Sequence, residues 1–361
     1  MKYIFIVQGE GRGHMTQAIS LFKILSEAGH EVSHVVVGKS KRRELPDFVG
    51  KQINCPITRL DSPNFVADKH QKSVNFTRTI FFNLRRMSHF ISSVNSIDKI
   101  VKEEKPDAII NFYDFLGGLY FLIKKPKIKH IAIAHQFILN HSTFEFPKGR
   151  VYDKLSMLLG NRLTSIKADL VLSLSFQPLE SEPSKNLIVT PPLLREEIKQ
   201  QKITEEDHFL IYMVNHGYST QIEEFHKKYP SIPLHCFWDK PGVPKEQKID
   251  DTLTFHQLDD IKFIELMASC KGYLTTAGFE SICEAMYMGK PVLMVPVKGH
   301  YEQSCNALDA TNAGAGISSE TFDLELLLNY LPNHQSVKEE FKGWCEKSSS
   351  TFLTNLIKHV N

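Results

Sequence analysis

Short, wholly apolar segments alternate with amphipathic stretches along this chain, and the alternation starts twice. The first apolar run, Tyr3–Val7, leads into a glycine-rich turn and then into apolar residues at helical spacing from Ala18 to Leu25. A second run, Val32–Val37, follows Gly29. Continuously apolar runs of this length, bounded by turn residues, are typical of buried parallel strands. Strand, helix and strand in this order predict a βαβ unit with a right-handed crossover.

The pattern stops near the middle of the chain and begins again. A strand-like run ends at Pro191-Pro192, residues 192–205 are polar and charged, and Phe209–Val214 reads as a new first strand. The 361 residues suit two domains of ordinary size. We therefore predict two Rossmann-like α/β domains, 1–195 and 205–340, followed by a C-terminal helix in 341–361 that packs back on the first domain.

Composition narrows the class of protein. With 42% hydrophobic and 23% charged residues, the chain has the composition of a globular protein. Its six cysteines are scattered without CxxC spacing, which argues against a zinc site or a disulfide framework. No apolar stretch approaches the ~20 residues that span a bilayer, and no signal peptide is evident. We expect a cytoplasmic protein, peripheral to the membrane at most.

Charge is distributed unevenly although its total is close to zero. Lys and Arg exceed Asp and Glu by ten in residues 1–190, and acidic residues exceed basic ones by eight in the remainder. The overall balance suggests no nucleic-acid partner. The basic first half favours an anionic or membrane-borne partner, and a chance split is an equal alternative.

The turn after the first strand reads Gly9-Glu10-Gly11-Arg12-Gly13. Glycines allow a tight turn and close approach of a ligand to the helix that follows, although an empty structural turn is as common. The next predicted strand ends at Lys39 instead of at the acidic residue of dinucleotide-binding folds, which argues against NAD.

Residues 274–306 carry the most specific signal. They predict a strand, a small-residue turn at Thr276-Ala277-Gly278, a helix, a second strand and a polar loop. The N–H groups at the start of the helix after Gly278 would suit a diphosphate. Glu284 in that helix is able to accept hydrogen bonds from a ribose diol, and Glu302-Gln303 begin the next helix.

This segment resembles the donor-binding signature of GT-B glycosyltransferases of families 1 and 28, which include the peptidoglycan N-acetylglucosaminyltransferase and the macrolide and plant glucosyltransferases. The matching residues are Gly278, Glu284-Ala285, Gly289-Lys290-Pro291, Pro296, Glu302-Gln303 and Asn306. The N-terminal segment Gly9–Gln17 also resembles the acceptor-side loop of that group. The resemblance implies a GT-B fold, with an N-terminal acceptor domain and a C-terminal donor domain facing a cleft.

The resemblance also implies roles for single residues. On the donor side, Thr276, Ala277 and Gly278 would hold the phosphates and Glu284 the ribose. Phe255-His256 would bracket the base through backbone contacts, and Glu302 and Gln303 would contact the sugar. Asn215-His216-Gly217 departs from the glycine-rich pattern of the group at that turn.

His14 is the predicted catalytic base, because an imidazole titrates near working pH and the related enzymes use a histidine at this place. A turn histidine that bonds backbone groups is the less favoured alternative. Asp114, after the Ile109–Tyr113 strand, is the carboxylate expected to orient it; capping of a helix is the alternative for Asp114. His135-Gln136 follow another strand and either bind the acceptor or satisfy loop backbone.

The stretch Lys69–Ile91 is basic and rich in aromatic residues. Such a segment either docks on an anionic membrane surface or packs its aromatic residues into the core, and the second alternative is slightly favoured.

Together these features predict an inverting, metal-independent transfer of sugar from a nucleoside diphosphosugar, UDP-linked by default, to a hydroxyl acceptor. No cofactor is expected besides this substrate, and no DxD motif sits at a plausible metal position. A nucleotide-sugar epimerase or hydrolase on the same fold, and a non-catalytic nucleotide-sugar-binding subunit, are the alternatives.

Overall fold

The computed structural model describes residues 1–39, 45–63, 83–213 and 216–360. Two compact units account for the chain. The first unit comprises Met1–Phe144, Gly149–Arg195 and Trp344–Asn361, and the second comprises Glu145–Lys148 and Glu196–Gly343. Each unit contains one twisted sheet with helices packed on it.

The sheet of the first unit has seven parallel strands in the order β3-β2-β1-β4-β5-β6-β7. Tyr3–Val7 of the central strand is buried on both faces, as its unbroken apolar sequence predicts. The order reverses between β1 and β4, so the turns after these two strands lie side by side at the carboxyl edge. The strands are β1 (Lys2–Val7), β2 (Glu31–Lys39), β3 (Ile57–Asp61), β4 (Ala108–Phe112), β5 (Lys129–Ala134), β6 (Leu170–Leu174) and β7 (Leu187–Thr190).

Helices of the first unit connect these strands. Gly118 lets two of them approach closely, since a Cβ on this glycine would lie 1.9 Å from the carbonyl oxygen of Leu163. Near the C-terminus, Trp344 donates from Nε1 to the carbonyl oxygen of Ser175 at 3.1 Å. The helices are α1 (Arg12–Glu27), α2 (Asp47–Gln52), α3 (Met87–Glu104), α4 (Phe115–Lys124), α5 (Val151–Thr164) and, at the C-terminus, α13 (Ser348–Val360), with a 3₁₀ turn at His135–Asn140.

The second unit repeats this design with its own sheet, ordered β10-β11-β9-β8-β12-β13-β14. Only the short edge strand β10 is antiparallel to its neighbour within the described sheet. The strands are β8 (Phe209–Met213), β9 (Leu234–Trp238), β10 (Glu246–Lys248), β11 (Leu253–Gln257), β12 (Gly272–Thr275), β13 (Val292–Met294) and β14 (Gly316–Ser318). The helices are α6 (Glu196–Lys199), α7 (Ser219–Lys228), α8 (Asp260–Ser269), α9 (Phe279–Met288), α10 (Tyr301–Asn312) and α11 (Leu324–Tyr330). Helix α12 (Lys338–Glu346) begins in the second unit and ends in the first.

The α/β class with two Rossmann-like sheets is confirmed. Of the three glycines of the predicted loop, Gly9 and Gly11 precede α1, and Gly13 is the second residue of that helix. Two predicted features lie outside the described residues, namely Asn215 and most of the basic, aromatic segment, 69–82. The short strands β3, β10 and β14 were not predicted, because none of them is a continuous apolar run.

Candidate functional site

The turn between β1 and α1 is tightly packed against β2. A Cβ on Gly9 would lie 1.8 Å from the carbonyl oxygen of Gly38, so only glycine fits there. Gly11 is the N-cap of α1 and offers no side chain to cap it. His14 therefore stands in the first turn of a helix at the carboxyl edge of the sheet.

The imidazole of His14 is buried, and its described contacts include Gln17, Gln136 and Tyr113. Its Nδ1 lies 3.3 Å from Oε1 of Gln17, and its Nε2 lies 3.4 Å from Nε2 of Gln136. The ring stacks on Tyr113, with centroids 5.7 Å apart and planes inclined by 15°. Because a carbonyl oxygen only accepts, the Gln17 contact places the proton on Nδ1. The lone pair is then on Nε2, where the amide of Gln136 donates to it.

Asp114 caps helix α4 instead of contacting His14. Its Oδ1 accepts from the backbone N–H of Leu116 at 2.8 Å and from the hydroxyl of Ser62 at 2.7 Å. The carboxyl group is fully buried, and this burial raises its pKa to about 6 against the opposing effect of the two hydrogen bonds. The capping alternative for Asp114 thus describes its geometry, and Gln17 occupies the position on Nδ1 that was expected for the carboxylate.

The residue before Asp114 adopts an unusual backbone conformation. Tyr113 has φ 58°, in the left-handed region of backbone conformation that residues other than glycine rarely adopt. The turn is held by Asn111, whose amide accepts from the N–H of Asp114 at 3.0 Å and donates to the carbonyl oxygens of Asp114 and Thr164. Strain of this kind, fixed by a buried polar side chain, is common where a side chain must be aimed at a functional group.

His135 and Gln136 follow β5 and begin the 3₁₀ turn. Nδ1 of His135 donates to the carbonyl oxygen of Leu174 at 2.8 Å, and burial lowers its pKa to about 3. His135 is therefore a neutral structural histidine over the physiological range. Of the two residues, Gln136 is the one that the fold brings to His14.

In the second unit, the turn between β12 and α9 is held in a strained form. Ala277 has φ 59°, and its carbonyl oxygen accepts a hydrogen bond from Nδ2 of Asn306 at 3.1 Å. The hydroxyl of Thr276 is buried without a hydrogen-bond partner. Gly278 is the N-cap of α9 and caps no N–H with a side chain. The N-terminus of a helix carries the positive end of its dipole, which favours an anion.

Three predicted donor residues lie on α9 and α10. Glu284 is 2% exposed, so it does not lie on the solvated helix face that is usual for a glutamate. Glu302 stands in the first turn of α10. Oε1 of Gln303 accepts from the backbone N–H of Val297 at 2.8 Å, which closes the polar loop before α10.

Phe255 and His256 lie in β11, just before its last residue Gln257, with their side chains on opposite faces. Phe255 is buried in the core and stacks on Trp238 at 4.2 Å, so only its backbone is placed to meet a ligand. Nε2 of His256 lies 3.0 Å from Nδ1 of His235. Burial and the nearby charge of Lys262 lower the pKa of His256 to about 4.

Sequence reasoning assigned no individual role to Gln17, although it lies in the segment Gly9–Gln17 and three residues after its partner His14. It also missed Tyr113 and Asn161, a buried residue of α5 that contacts Tyr113 and the main-chain carbonyl of Gln136. No motif marks this pair, because the two residues lie 48 positions apart in the sequence. Within the described part of the chain, no group of three or more His, Cys, Asp or Glu side chains is arranged to hold a metal ion. No helix among the described residues has the length and apolarity needed to cross a membrane.

Comparison with known proteins gives one consistent result. The model of glycosyl transferase family 1 matches residues 1–333. An uncharacterized glycosyltransferase of Methanosarcina acetivorans is 25% identical, with 88% of this chain and 85% of that protein aligned. The UDP-N-acetylglucosamine–N-acetylmuramyl-(pentapeptide) pyrophosphoryl-undecaprenol N-acetylglucosamine transferase of Alkaliphilus metalliredigens is 23% identical over 99% of this chain and 97% of its own.

Solved structures agree on the fold. A UDP-glucosyltransferase from Polygonum tinctorium superimposes with a TM-score of 0.67 at 15% identity, covering 99% of this chain and 98% of that one. Acinetobacter baumannii MurG gives 0.59 at 17% identity over 99% and 100%. The GT-B fold expected from residues 274–306 is confirmed. With a family model that spans nearly the whole chain, this protein belongs to glycosyl transferase family 1 and is a glycosyltransferase.

Proposed function

We propose that this glycosyltransferase moves a sugar from a nucleoside diphosphosugar, UDP-linked, to a hydroxyl acceptor, with inversion and without a metal ion. The observation that carries this proposal is the buried hydroxyl of Thr276, which has no hydrogen-bond partner and lies in the strained turn at Ala277 that leads into α9. Similar proteins whose names include UDP or a UDP-sugar support the choice of uridine.

The donor residues would act as follows. The N–H groups that follow Gly278 and the hydroxyl of Thr276 would bind the diphosphate. The partial positive charge at the start of α9 would stabilise the diphosphate as it leaves. Glu284, buried in the same helix, would accept from the ribose diol. Glu302 at the start of α10 would contact the sugar, as would the amide nitrogen of Gln303.

On the acceptor side, His14 would be the general base. Its Nε2 lone pair would take the proton of the acceptor hydroxyl while that oxygen attacks the anomeric carbon. The bond from the anomeric carbon to the phosphate oxygen breaks, and the nucleoside diphosphate departs. One displacement inverts the anomeric configuration, and a leaving group stabilised by a helix end needs no metal in this scheme.

A thermal-shift screen against UDP, GDP, dTDP, CDP and ADP tests the donor site. We expect UDP to raise the melting temperature of the wild type and to have much less effect on Glu284→Gln, which keeps the size of the side chain. Glu280→Gln, in the first turn of the same helix, is a matched control for a change of charge. If none of the nucleotides stabilises the wild type at millimolar concentration, the donor assignment is wrong.

Turnover assays distinguish sugar transfer from the alternative activities on this fold, hydrolysis and epimerisation of the nucleotide sugar. Sugar release from UDP-glucose or UDP-N-acetylglucosamine without an added acceptor, at a rate that acceptors do not raise, would favour hydrolysis. Interconversion of the sugar would favour epimerisation. We expect sugar transfer to persist in the presence of EDTA, which removes metal ions. We also expect NMR of the product to show an inverted anomeric configuration.

A membrane-borne acceptor is the class that the described surface favours. Helix α5 exposes Tyr152, Leu155, Leu159 and Leu163, which recur at helical spacing. Exposed lysines follow α4, which packs against α5, and such a basic, apolar surface suits anionic lipid.

A vesicle sedimentation assay tests this surface. We expect the double variant Leu155→Ser, Leu159→Ser to sediment less with phosphatidylglycerol vesicles than the wild type, while Leu326→Ser on α11 sediments as the wild type does. Equal sedimentation of all three proteins would contradict membrane contact through α5.

A further inference from the structure

We propose that the aromatic ring of Tyr113 stabilises the protonated, imidazolium form of His14, and that Tyr113 is in this sense a positioning residue that acts through the base. The proposal rests on the proposed role of His14 as the base, and it adds a group that favours the charge which His14 gains on taking a proton. The stacked rings carry the proposal, with centroids 5.7 Å apart and planes inclined by 15°.

The face of an aromatic ring attracts a cation. It carries partial negative charge, and a cation within about 6 Å of the ring centroid is stabilised by it. His14 lies within that distance and is 7% exposed, so water screens the attraction little. A neutral imidazole gains less from the same face. The contact therefore favours the charged state that His14 reaches in the reaction when it accepts the proton of the acceptor hydroxyl.

The hydroxyl of Tyr113 is engaged in the direction that strengthens this effect. It donates to Oδ1 of Asn161 at 2.6 Å, and Asn161 has no exposed surface. A phenol that donates a hydrogen bond is polarised, and electron density rises on its oxygen and on its ring. The face that Tyr113 turns to His14 is therefore more negative than that of a phenol without an acceptor.

Tyr113 keeps its place although its backbone is strained. Its φ of 58° is fixed by the fully buried Asn111, whose amide accepts from the N–H and donates to the carbonyl oxygen of Asp114. Gly117 leaves room for this amide, since a Cβ there would lie 2.4 Å from Nδ2 of Asn111. Strain that the surrounding structure maintains in this way is common where a side chain must be placed at a functional group.

Other charged or titratable groups on the segments that meet at these rings also affect a charge on His14. They are, in chain order, Glu10, Arg12, Lys39, Asp114 and His135. The variants described below leave all of them in place, together with every other contact of His14. Their effects therefore cancel when the variants are compared with one another.

NMR titration of protein labelled with nitrogen-15 in its histidines tests this proposal without any substrate. It measures the titration midpoint of His14, and the spectrum of His14→Gln identifies the His14 signals among the 16 histidines. Tyr113→Leu removes the ring, and we expect the midpoint to fall by about half a pH unit, the size expected for one cation–π contact. Tyr113→Phe keeps the ring and should keep most of the wild-type midpoint.

A fluorinated ring tests the charge of the face with little change of shape. Three fluorine atoms withdraw electron density, so protein in which trifluorophenylalanine replaces Tyr113 should titrate at a lower pH than Tyr113→Phe. This pair of proteins decides the matter if Tyr113→Leu does not fold. Phe137→Leu is the packing control, because Phe137 contacts Tyr113 edge to face at 5.4 Å and its loss leaves the stacked pair intact. It should not move the midpoint of His14.

Circular dichroism verifies the folding of each variant. Equal midpoints in Tyr113→Phe and its fluorinated counterpart, an unchanged midpoint in folded Tyr113→Leu, or an equal fall in Phe137→Leu would overturn the proposal. A wild type in which His14 stays neutral down to pH 5 would overturn it as well. Failure of the proposed function is a separate result, since sugar transfer that persists in His14→Gln would remove the catalytic role of His14 and leave its measured titration unchanged.

Discussion

Asn306 on α10 donates to the carbonyl oxygen of Ala277, 29 residues earlier, and so fixes the turn that begins α9. The bond is buried and 3.1 Å long. It joins two parts of the pattern in residues 274–306 that are far apart in the sequence. The asparagine of this pattern therefore shapes the turn, and contact with a ligand is not needed to explain its presence.

Replacing Asn306 by alanine should loosen the turn at Ala277. We expect UDP to bind about tenfold more weakly, because the N–H groups of α9 would lose their fixed orientation and loss of one buried hydrogen bond costs about 1–3 kcal/mol. Isothermal titration with UDP measures this change. Asn312→Ala, at the end of the same helix, should leave UDP affinity unaltered; equal losses in both variants would deny Asn306 this specific role.

The left-handed conformation of Ala277 predicts the effect of substitutions there. Ala277→Gly should raise the free energy of unfolding by about 0.5–1 kcal/mol, because glycine enters this region without the penalty of a Cβ. Ala277→Val should lower it, since a β-branched residue tolerates positive φ poorly. Urea denaturation of both variants measures the difference, and a loss of stability in Ala277→Gly would show that the turn is unstrained.

Close packing at Gly9 predicts a severe effect of adding one methyl group. Gly9→Ala would bring a Cβ to 1.8 Å from a backbone oxygen that cannot move aside. We expect a loss of more than about 2 kcal/mol. Gly50→Ala is the control, because nothing lies within 4 Å of that position and its helical backbone favours alanine. Similar stability of Gly9→Ala and the wild type would contradict the packing of this turn.

The buried carboxyl group of Asp114 should make stability depend on pH. Burial raises its pKa from 3.8 to about 6, so the folded protein keeps a proton that the unfolded chain has already released. Its contribution is therefore fully present below pH 3.8 and declines as the pH rises through about 6. Asp114→Asn, which can still accept from Ser62 and Leu116, should abolish this decline. Unfolding by urea at pH 5 and pH 7 compares the two proteins; an identical pH dependence would count against the raised pKa.

Buried histidines should have the opposite effect and lower the stability of the protein as the pH falls. Burial lowers the pKa of His130, His235 and His256 from 6.5 to about 4, so below pH 6.5 the unfolded chain binds protons that the folded protein does not. These residues should make the protein progressively less stable between pH 6.5 and 4. His130→Gln should reduce the slope of unfolding free energy against pH in this range. An unchanged slope in His130→Gln, measured by urea unfolding at pH 4.5 and pH 6.5, would count against the lowered pKa of His130.

Local sequence determined the alternation of strands and helices, because buried parallel strands need unbroken apolar runs such as Tyr3–Val7 and helices need their own period. It also determined the family, through the spacing of Gly278, Glu284 and Asn306. The tertiary structure decided which side chains meet His14. Gln136 reaches it from another strand end, and Asn161 supports Tyr113 from α5. Such contacts depend on strand register and on how closely helices pack, at Gly118 for example, and no local pattern specifies these quantities. For the same reason Asp114, expected at His14, was found capping α4.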